Sequence, residues 1–307
     1  MNAIACDFCG SDSFSIRYSL KDWVTRIDGC FILVECSNCG LLYLNPRPGW
    51  DELEKYYPEQ YHAYHAPANR SRESLLKWIK NVGWQRRSKA ILAHQPEGRL
   101  LDIGCATGDF LAEMDHQGEW DCYGVEPVVY AFEIARQKTK AKLVHGTLLE
   151  ARFPSEFFDV VTLWDVLEHT PNPSETLREA QRILRPGGLL VIRVPDPSSF
   201  TGRLFGPYWI AFDAPRHLFG FPKQVLCQYL AKENFTIHNL SYLSSEYFTV
   251  WGSLGILFYA VGMKKMARLM NFFAYSTISR VLFAVFFLPL SWFGIGSSPV
   301  YFARKKL

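Results

Sequence analysis

The sequence has no long run of like charge and little net charge: 33 basic residues stand against 30 acidic ones, leaving +3 over 307 residues. That balance excludes a dedicated nucleic-acid binder, whose affinity rests on a concentrated basic surface. The amino terminus, MNAIACDFCGSDSF, lacks the basic start and apolar stretch of a secretory signal, which predicts a reducing, cytoplasmic setting. The eight cysteines are then expected as thiols or metal ligands. No low-complexity tract is present. With 49% hydrophobic and 15% aromatic residues, the chain can fill a sizeable core, as one main domain with appendages.

From residue 99 the pattern alternates. The strand RLLDIG leads to the helix GDFLAEMDHQG, and the strand CYGVEP to the helical YAFEIARQKTK. KLVHG and FDVVTLWDV follow, then the helix PSETLREAQRIL, the turn RPGG and the strand LLVIRVP. Alternation of this kind predicts an α/β fold: a Rossmann-like, doubly wound parallel sheet with ligands at the carboxyl ends of its strands. Around it we expect a zinc-ribbon-like segment over 1–48, a helical linker over 49–94 and the main core over 95–245. An apolar helical pair over 246–296 and a last core strand over 297–307 complete the division. The Pro-, Gly- and aromatic-rich stretch 196–222 has no sustained period and reads as a long loop over the site.

The segment RLLDIGCATGDFL, residues 99–111, is a strand, a tight turn and a helix start. A dinucleotide fold wants G-x-G-x-x-G here, and those places hold Gly104, Ala106 and Asp109. Asp109 in the first helical turn repels a pyrophosphate, and no Gly-Lys-Ser/Thr follows to make a Walker loop. A small nucleoside carrying a cationic sulfonium and an amino group suits Asp102, at the strand end, better. Glu126 closes the next strand at the distance where an acid commonly binds ribose hydroxyls.

With LLDIGCATGDFL, YGVEP, HGTLLEARFPSEFFDVVTLWDVLEH and ILRPGGLLVIRVP in order, the chain resembles class I S-adenosylmethionine-dependent methyltransferases over residues 95–245. The resemblance implies that Asp102, Gly104, Cys105 and Gly108 cradle the methionine half. It also implies that Glu126 holds the ribose and that Thr147 and Leu148 border the adenine. Many relatives carry an acid where Thr147 stands.

Two matched pairs, CDFCG at Cys6 and Cys9 and CSNCG at Cys36 and Cys39, supply four soft thiolates of the kind tetrahedral zinc prefers. A redox disulfide needs one pair in a thioredoxin-like context, which is absent. A closed set of four thiolates leaves no position for water, so the zinc is expected to be structural. CDFCG with CSNCGLLYLNPRP resembles the zinc-bearing front piece of bacterial methyltransferases in sugar and surface-polysaccharide pathways. Cys30, Cys105, Cys122 and Cys227 read as packing residues.

Methyl transfer from a sulfonium needs an aligned acceptor and, for a hydroxyl or acidic carbon, a base. WDVLEH ends a strand at the ligand edge, placing Asp165 near the cofactor and Glu168 and His169 near the acceptor. His169 serves as base or, alternatively, orients the helix start that follows. DAPRHLFGF offers Asp213, Arg216 and His217, with Trp209 nearby, as a lid over the acceptor. Arg216 there either grips a phosphate or carboxylate, or holds the loop down by ion pairing.

Two apolar arms, residues 247–263 and 281–296, reach about 25 Å as helix against about 30 Å of hydrocarbon. A spanning hairpin also sets Lys264, Lys265, Arg268 and Arg280 against the positive-inside rule, so a re-entrant or interfacial anchor on the inner membrane face is expected. Burial against the core or a second subunit is the alternative.

The expected function is methylation, at oxygen or carbon, of a small, sugar or lipid-linked acceptor. A sugar C-methyltransferase is one alternative, although those enzymes usually carry a further folded domain. A zinc-ribbon scaffold built on a degenerate methyltransferase fold is the other. No nucleic-acid partner is expected.

Overall fold

The computed structural model describes residues 2–57, 73–243, 246–276, 279, 282–283, 287 and 296–307. In chain order the strands begin with β1 (Phe14–Leu20), β2 (Phe31–Cys36), β3 (Leu42–Leu44), β4 (Gly98–Ile103) and β5 (Trp120–Glu126). They continue with β6 (Lys142–His145), β7 (Phe158–Trp164), β8 (Leu184–Arg193), β9 (Phe219–Gly220), β10 (Phe235–Ser241) and β11 (Val300–Lys305). They fall into two compact units that the chain visits in turn. A cysteine-bearing unit takes 1–58, 194–226 and 244–299, and a sheet unit takes 59–193, 227–243 and 300–307.

The sheet unit carries seven strands in the order β10-β11-β8-β7-β4-β5-β6. The five strands from β8 to β6 run parallel, while β11 is antiparallel to both of its neighbours. Buried on both faces, β7 reads FDVVTLW with every residue inside, as a central parallel strand must. From β4 the chain winds outward through β5 and β6. It then returns to β7, on the other side of β4, and winds to β8. The order therefore reverses between β4 and β7, which opens a crevice at their carboxyl ends.

Helix Pro173–Ile183 shows how sequence becomes packing here. Proline starts it, and Pro173, Thr176, Leu177, Ala180 and Ile183 lie buried on one stripe. Leu100, Val160, Leu189, Val191 and Phe302 from four neighbouring strands join Ile91, Phe110, Leu111 and Met114 from helices in one apolar cluster.

The cysteine-bearing unit is built on the antiparallel sheet β1-β2-β3-β9. Here the expectation of a contiguous 95–245 core is corrected, because residues 194–226 belong with the amino-terminal segment. The expected long loop is also not a loop. It holds a helix Phe200–Phe205, whose N-cap Ser199 accepts from the Gly202 N–H at 3.2 Å, two 3-10 turns and β9. Elements of two to six residues are too short to show a period.

The first apolar arm forms helix Tyr247–Ala260, followed by helix Lys264–Tyr275. Ser253 accepts the Ile210 N–H at 3.0 Å, and a Cβ on Gly252 would lie 2.5 Å from Ile210 Cδ1. No residue of helix Tyr247–Ala260 is fully exposed. Tyr247, Gly252, Ser253, Gly255 and Ile256 of this helix are buried within the unit, and its other residues are half-buried. Most of the second arm, 281–296, lies outside the described residues. Among the described residues no helix is long and apolar enough to cross a membrane.

Candidate active site and cysteine cluster

Residues 102–108 turn sharply at the end of β4. Gly104, Ala106 and Gly108 have φ of 65°, 47° and 73°, the left-handed region that glycine tolerates best. At Gly104 a Cβ would lie 2.8 Å from Val166 Cγ2, and at Gly108 it would lie 3.1 Å from Ala135 Cβ. Two carboxylates bound the turn. Asp102 is buried and accepts the Thr162 hydroxyl at 2.6 Å. Burial pushes its carboxyl up to about 7, with the Thr162 bond and Arg87 opposing and Glu126 adding.

Glu126, at the end of β5, is also buried, and its carboxylate accepts the N–H of Ala106 at 2.9 Å and of Val128 at 2.8 Å. Burial raises its carboxyl above the ordinary range although both hydrogen bonds oppose the change. The structure thus brings Asp102, Gly104, Cys105, Gly108 and Glu126 together around one turn. Cys105 contributes backbone, its N–H donating to the Val125 carbonyl at 3.0 Å, while its side chain joins the apolar cluster.

Asp109 is corrected in its role. Lys138 Nζ donates to its carboxylate, so its charge is offset, and the case against a pyrophosphate shifts to the buried pair Asp102 and Glu126. Leu148 is buried. Thr147 starts a helical turn as half of a capping box: its hydroxyl donates to Glu150 Oε2 at 2.8 Å and accepts from the Glu150 N–H at 3.4 Å. That side chain is engaged locally.

Asp165 has φ 58° and accepts from Arg193 Nη1 at 2.5 Å, with Arg87 Nη2 at 4.0 Å. The Arg87 guanidinium stacks over Trp84 at 4.3 Å and Trp164 at 4.6 Å. Burial and the Arg193 charge bring it down to about 9 against the pull of Asp165 and Asp102. Sequence reasoning missed both arginines. A signal for Arg193 existed, since it is a charge inside the apolar run LLVIRVP, and Trp84 with Arg87 share a helix face at a spacing of three. Glu168, which is buried, and His169 lie in the 3-10 turn Leu167–His169.

In the cysteine-bearing unit the four sulfurs of Cys6, Cys9, Cys36 and Cys39 all lie within 4.8 Å of one another. Cys6 is 3.5 Å from Cys39, and Cys9 is 3.5 Å from Cys36. Tetrahedral zinc with bonds of about 2.3 Å sets its sulfurs about 3.8 Å apart, whereas a disulfide needs about 2.05 Å. The two turns match: Gly10 N–H donates to the Cys6 carbonyl at 2.8 Å, and Gly40 N–H to the Cys36 carbonyl at 2.9 Å.

The same unit holds Trp209, Asp213, Arg216 and His217. Arg216 is fully buried. Its Nε donates to Asp213 at 3.1 Å, Nη1 to the Tyr56 carbonyl at 2.9 Å and to Asp22 at 3.3 Å, and Nη2 to Asp22 at 2.8 Å and Asp213 at 2.5 Å. All five donors are engaged, so the substrate-gripping role expected of Arg216 and Asp213 is corrected to that of a tie between segments. Asp22 was not foreseen; nothing local in KDWVT marks it. Trp209, also buried, lines a cleft with Leu33, Pro197, Phe212, Phe219 and His217. Its indole N–H has no hydrogen-bond partner among the described residues.

The sheet order, the glycine turn and its paired acids define a nucleoside-cofactor domain of the Rossmann-like methyltransferase class. Residues 68–240, more than half of the chain, match the family described as methyltransferase domain. The chain belongs to that family, the S-adenosylmethionine-dependent methyltransferases. It is 29% identical over 156 residues to a demethylmenaquinone methyltransferase of Geobacillus kaustophilus, covering 48% of this chain and 66% of that enzyme. The same-named enzyme of Lysinibacillus sphaericus is 27% identical over 134 residues, covering 42% of this chain and 57% of its own. The chain therefore spans somewhat less than two thirds of these relatives. Among solved structures, a methyltransferase of Thermotoga maritima described as a possible histamine N-methyltransferase is 25% identical. It covers 55% of this chain and 78% of that one, with a TM-score of 0.43.

Proposed function

We propose that the protein transfers a methyl group from S-adenosylmethionine to a small or lipid-linked acceptor, at oxygen or carbon. The observation that carries this is the buried Glu126 carboxylate hydrogen-bonded to Ala106 and Val128, beside the buried Asp102 at the glycine turn. These residues fit the cofactor. Buried acids without a full cationic partner favour a ligand that brings positive charge, and Gly104 and Gly108 allow the left-handed turn beside them. Asp102, Gly104, Cys105 and Gly108 would hold the methionine half, Glu126 the ribose, and Leu148 with the Thr147 backbone the adenine. Asp165, paired to Arg193 and near Arg87, borders the same crevice at the end of β7. When bound, the cofactor supplies an electrophilic methyl group on sulfur.

The chain's own part is to orient the acceptor and remove its proton. His217, whose Nδ1 lies 2.8 Å from the Ala211 carbonyl, is the first candidate base. His169 is the second candidate base, and Trp209 contributes to acceptor binding. We further assign a structural zinc ion to Cys6, Cys9, Cys36 and Cys39, supported by the sulfur spacing.

The relatives' name adds demethylmenaquinone to nucleotide sugars and lipid-linked glycan precursors as acceptors to test. Sugar C-methylation remains a narrower form of this reading, and a scaffold role is the alternative. Titrating the full chain with S-adenosylmethionine decides between enzyme and scaffold: saturable binding is expected, and none at millimolar cofactor overturns the enzyme. Methyl-labelled cofactor with the three acceptor pools then identifies what gains label. Peripheral attachment to the inner membrane face is part of the same reading.

A further inference from the structure

Helix Lys264–Tyr275 has two unlike faces. Ala267, Met270 and Ala274 are buried. Lys265, Arg268, Leu269, Phe272 and Tyr275 are exposed at spacings of three and four, so they form one outward stripe. Leu269 is 43% exposed and Phe272 and Tyr275 are 57% each, and they lie side by side on one helix face as a contiguous patch. At the amino-terminal end Val261 and Met263 are exposed as well, next to Lys264.

Charge identifies the occupant. From residue 247 to residue 307 the sequence contains no Asp or Glu, while Lys264, Lys265, Arg268 and Arg280 all fall in this stretch. A stripe that mixes cations with large apolar side chains, with no acid along the same segment, complements a surface that is anionic outside and apolar a few ångströms deeper. A protein partner or second copy would need acids of its own opposite Lys265 and Arg268, and this segment supplies none.

We propose that helix Lys264–Tyr275 lies flat on an anionic lipid surface. Leu269, Phe272 and Tyr275 enter the headgroup boundary, and Lys264, Lys265 and Arg268 pair with lipid phosphates. The acceptor class proposed above does not have to be right for this to hold, although a lipid-linked acceptor would be met at that surface.

The test is sedimentation of the full chain with phosphatidylcholine vesicles, with or without phosphatidylglycerol, at low and high salt. Binding is expected with phosphatidylglycerol only and is expected to weaken with salt. Lys265→Gln with Arg268→Gln lowers the vesicle affinity about thirtyfold. Leu269→Asn with Phe272→Asn abolishes it, and both variants retain cofactor binding and circular dichroism. Absence of wild-type binding to the anionic vesicles overturns the proposal. So does binding that both variants leave unchanged, or an apolar variant that converts a dimer to a monomer without altering vesicle binding. Cofactor titration of the same samples reports separately on the enzyme reading.

Discussion

The Glu126 carboxylate accepts the backbone N–H of Ala106 at 2.9 Å, so the acid at the end of β5 holds the shape of the turn that follows β4. Two sequence motifs twenty residues apart are thereby one structural object. Glu126→Ala removes the proposed ribose contact and also leaves the Ala106 and Val128 N–H groups without their acceptor. A hydrogen bond to a charged group is worth about 1.5–3 kcal/mol. Cofactor affinity is expected to fall more than about tenfold in isothermal titration, and the thermal midpoint is expected to drop as well. Glu126→Gln keeps only one acceptor oxygen and lies between wild type and Ala.

Asp102 makes stability and cofactor binding respond oppositely to pH. Its carboxyl is raised from 3.8 to about 7 by burial, so the folded chain holds a proton that the unfolded chain has lost. The stabilisation is complete below the unfolded value and disappears as pH rises through about 7. A cationic ligand prefers the ionised carboxylate, so affinity rises over the same window. Asp102→Asn flattens both profiles, which chemical denaturation and cofactor titration across that range measure.

Arg216 holds the buried Asp22 and the largely covered side chain of Asp213 in one network. Arg216→Leu strands two carboxylates and is expected to cost about 3–5 kcal/mol in urea denaturation. Arg216→Lys keeps the charge but supplies three donors in place of five, and recovers only part of that loss.

One zinc ion per chain is expected by elemental analysis, and Cys36→Ser is expected to bind none. Since four thiolates close the coordination shell, removing the metal with a chelator lowers the thermal midpoint. The cofactor affinity of the sheet unit stays within about threefold.

His217→Ala is expected to abolish methyl transfer with cofactor affinity unchanged. His169→Ala separates base from scaffold: a scaffold role lowers the thermal midpoint more than turnover. Normal turnover in both variants removes histidine from the proton-transfer step.

Much of the parallel sheet was legible because its central strands carry apolar runs bounded by turn residues, as in FDVVTLW. Glycine positions also announce themselves, because a left-handed turn leaves little choice of residue at Gly104 and Gly108. The stretch 196–222 was not legible: its six-residue helix, its turns and the two-residue β9 are too short for a period to repeat. Partners far apart in the chain were equally hidden, as with Asp22 and Arg216 or Lys138 and Asp109. A charge in a sequence carries no mark of which opposite charge will meet it.

From the sequence alone come the alternation of strands and helices in an α/β domain, the acid-flanked glycine turn and the paired cysteine spacing, since local backbone geometry and ligand chemistry restrict residue type there. Only the tertiary structure decided that the chain interleaves two units, that Arg216 is a tie and not a hand, and that the outward apolar surface belongs to helix Lys264–Tyr275 and not to the more apolar helix before it. Hydrophobicity records how much a segment gains by leaving water. Which neighbour takes water's place is set by packing.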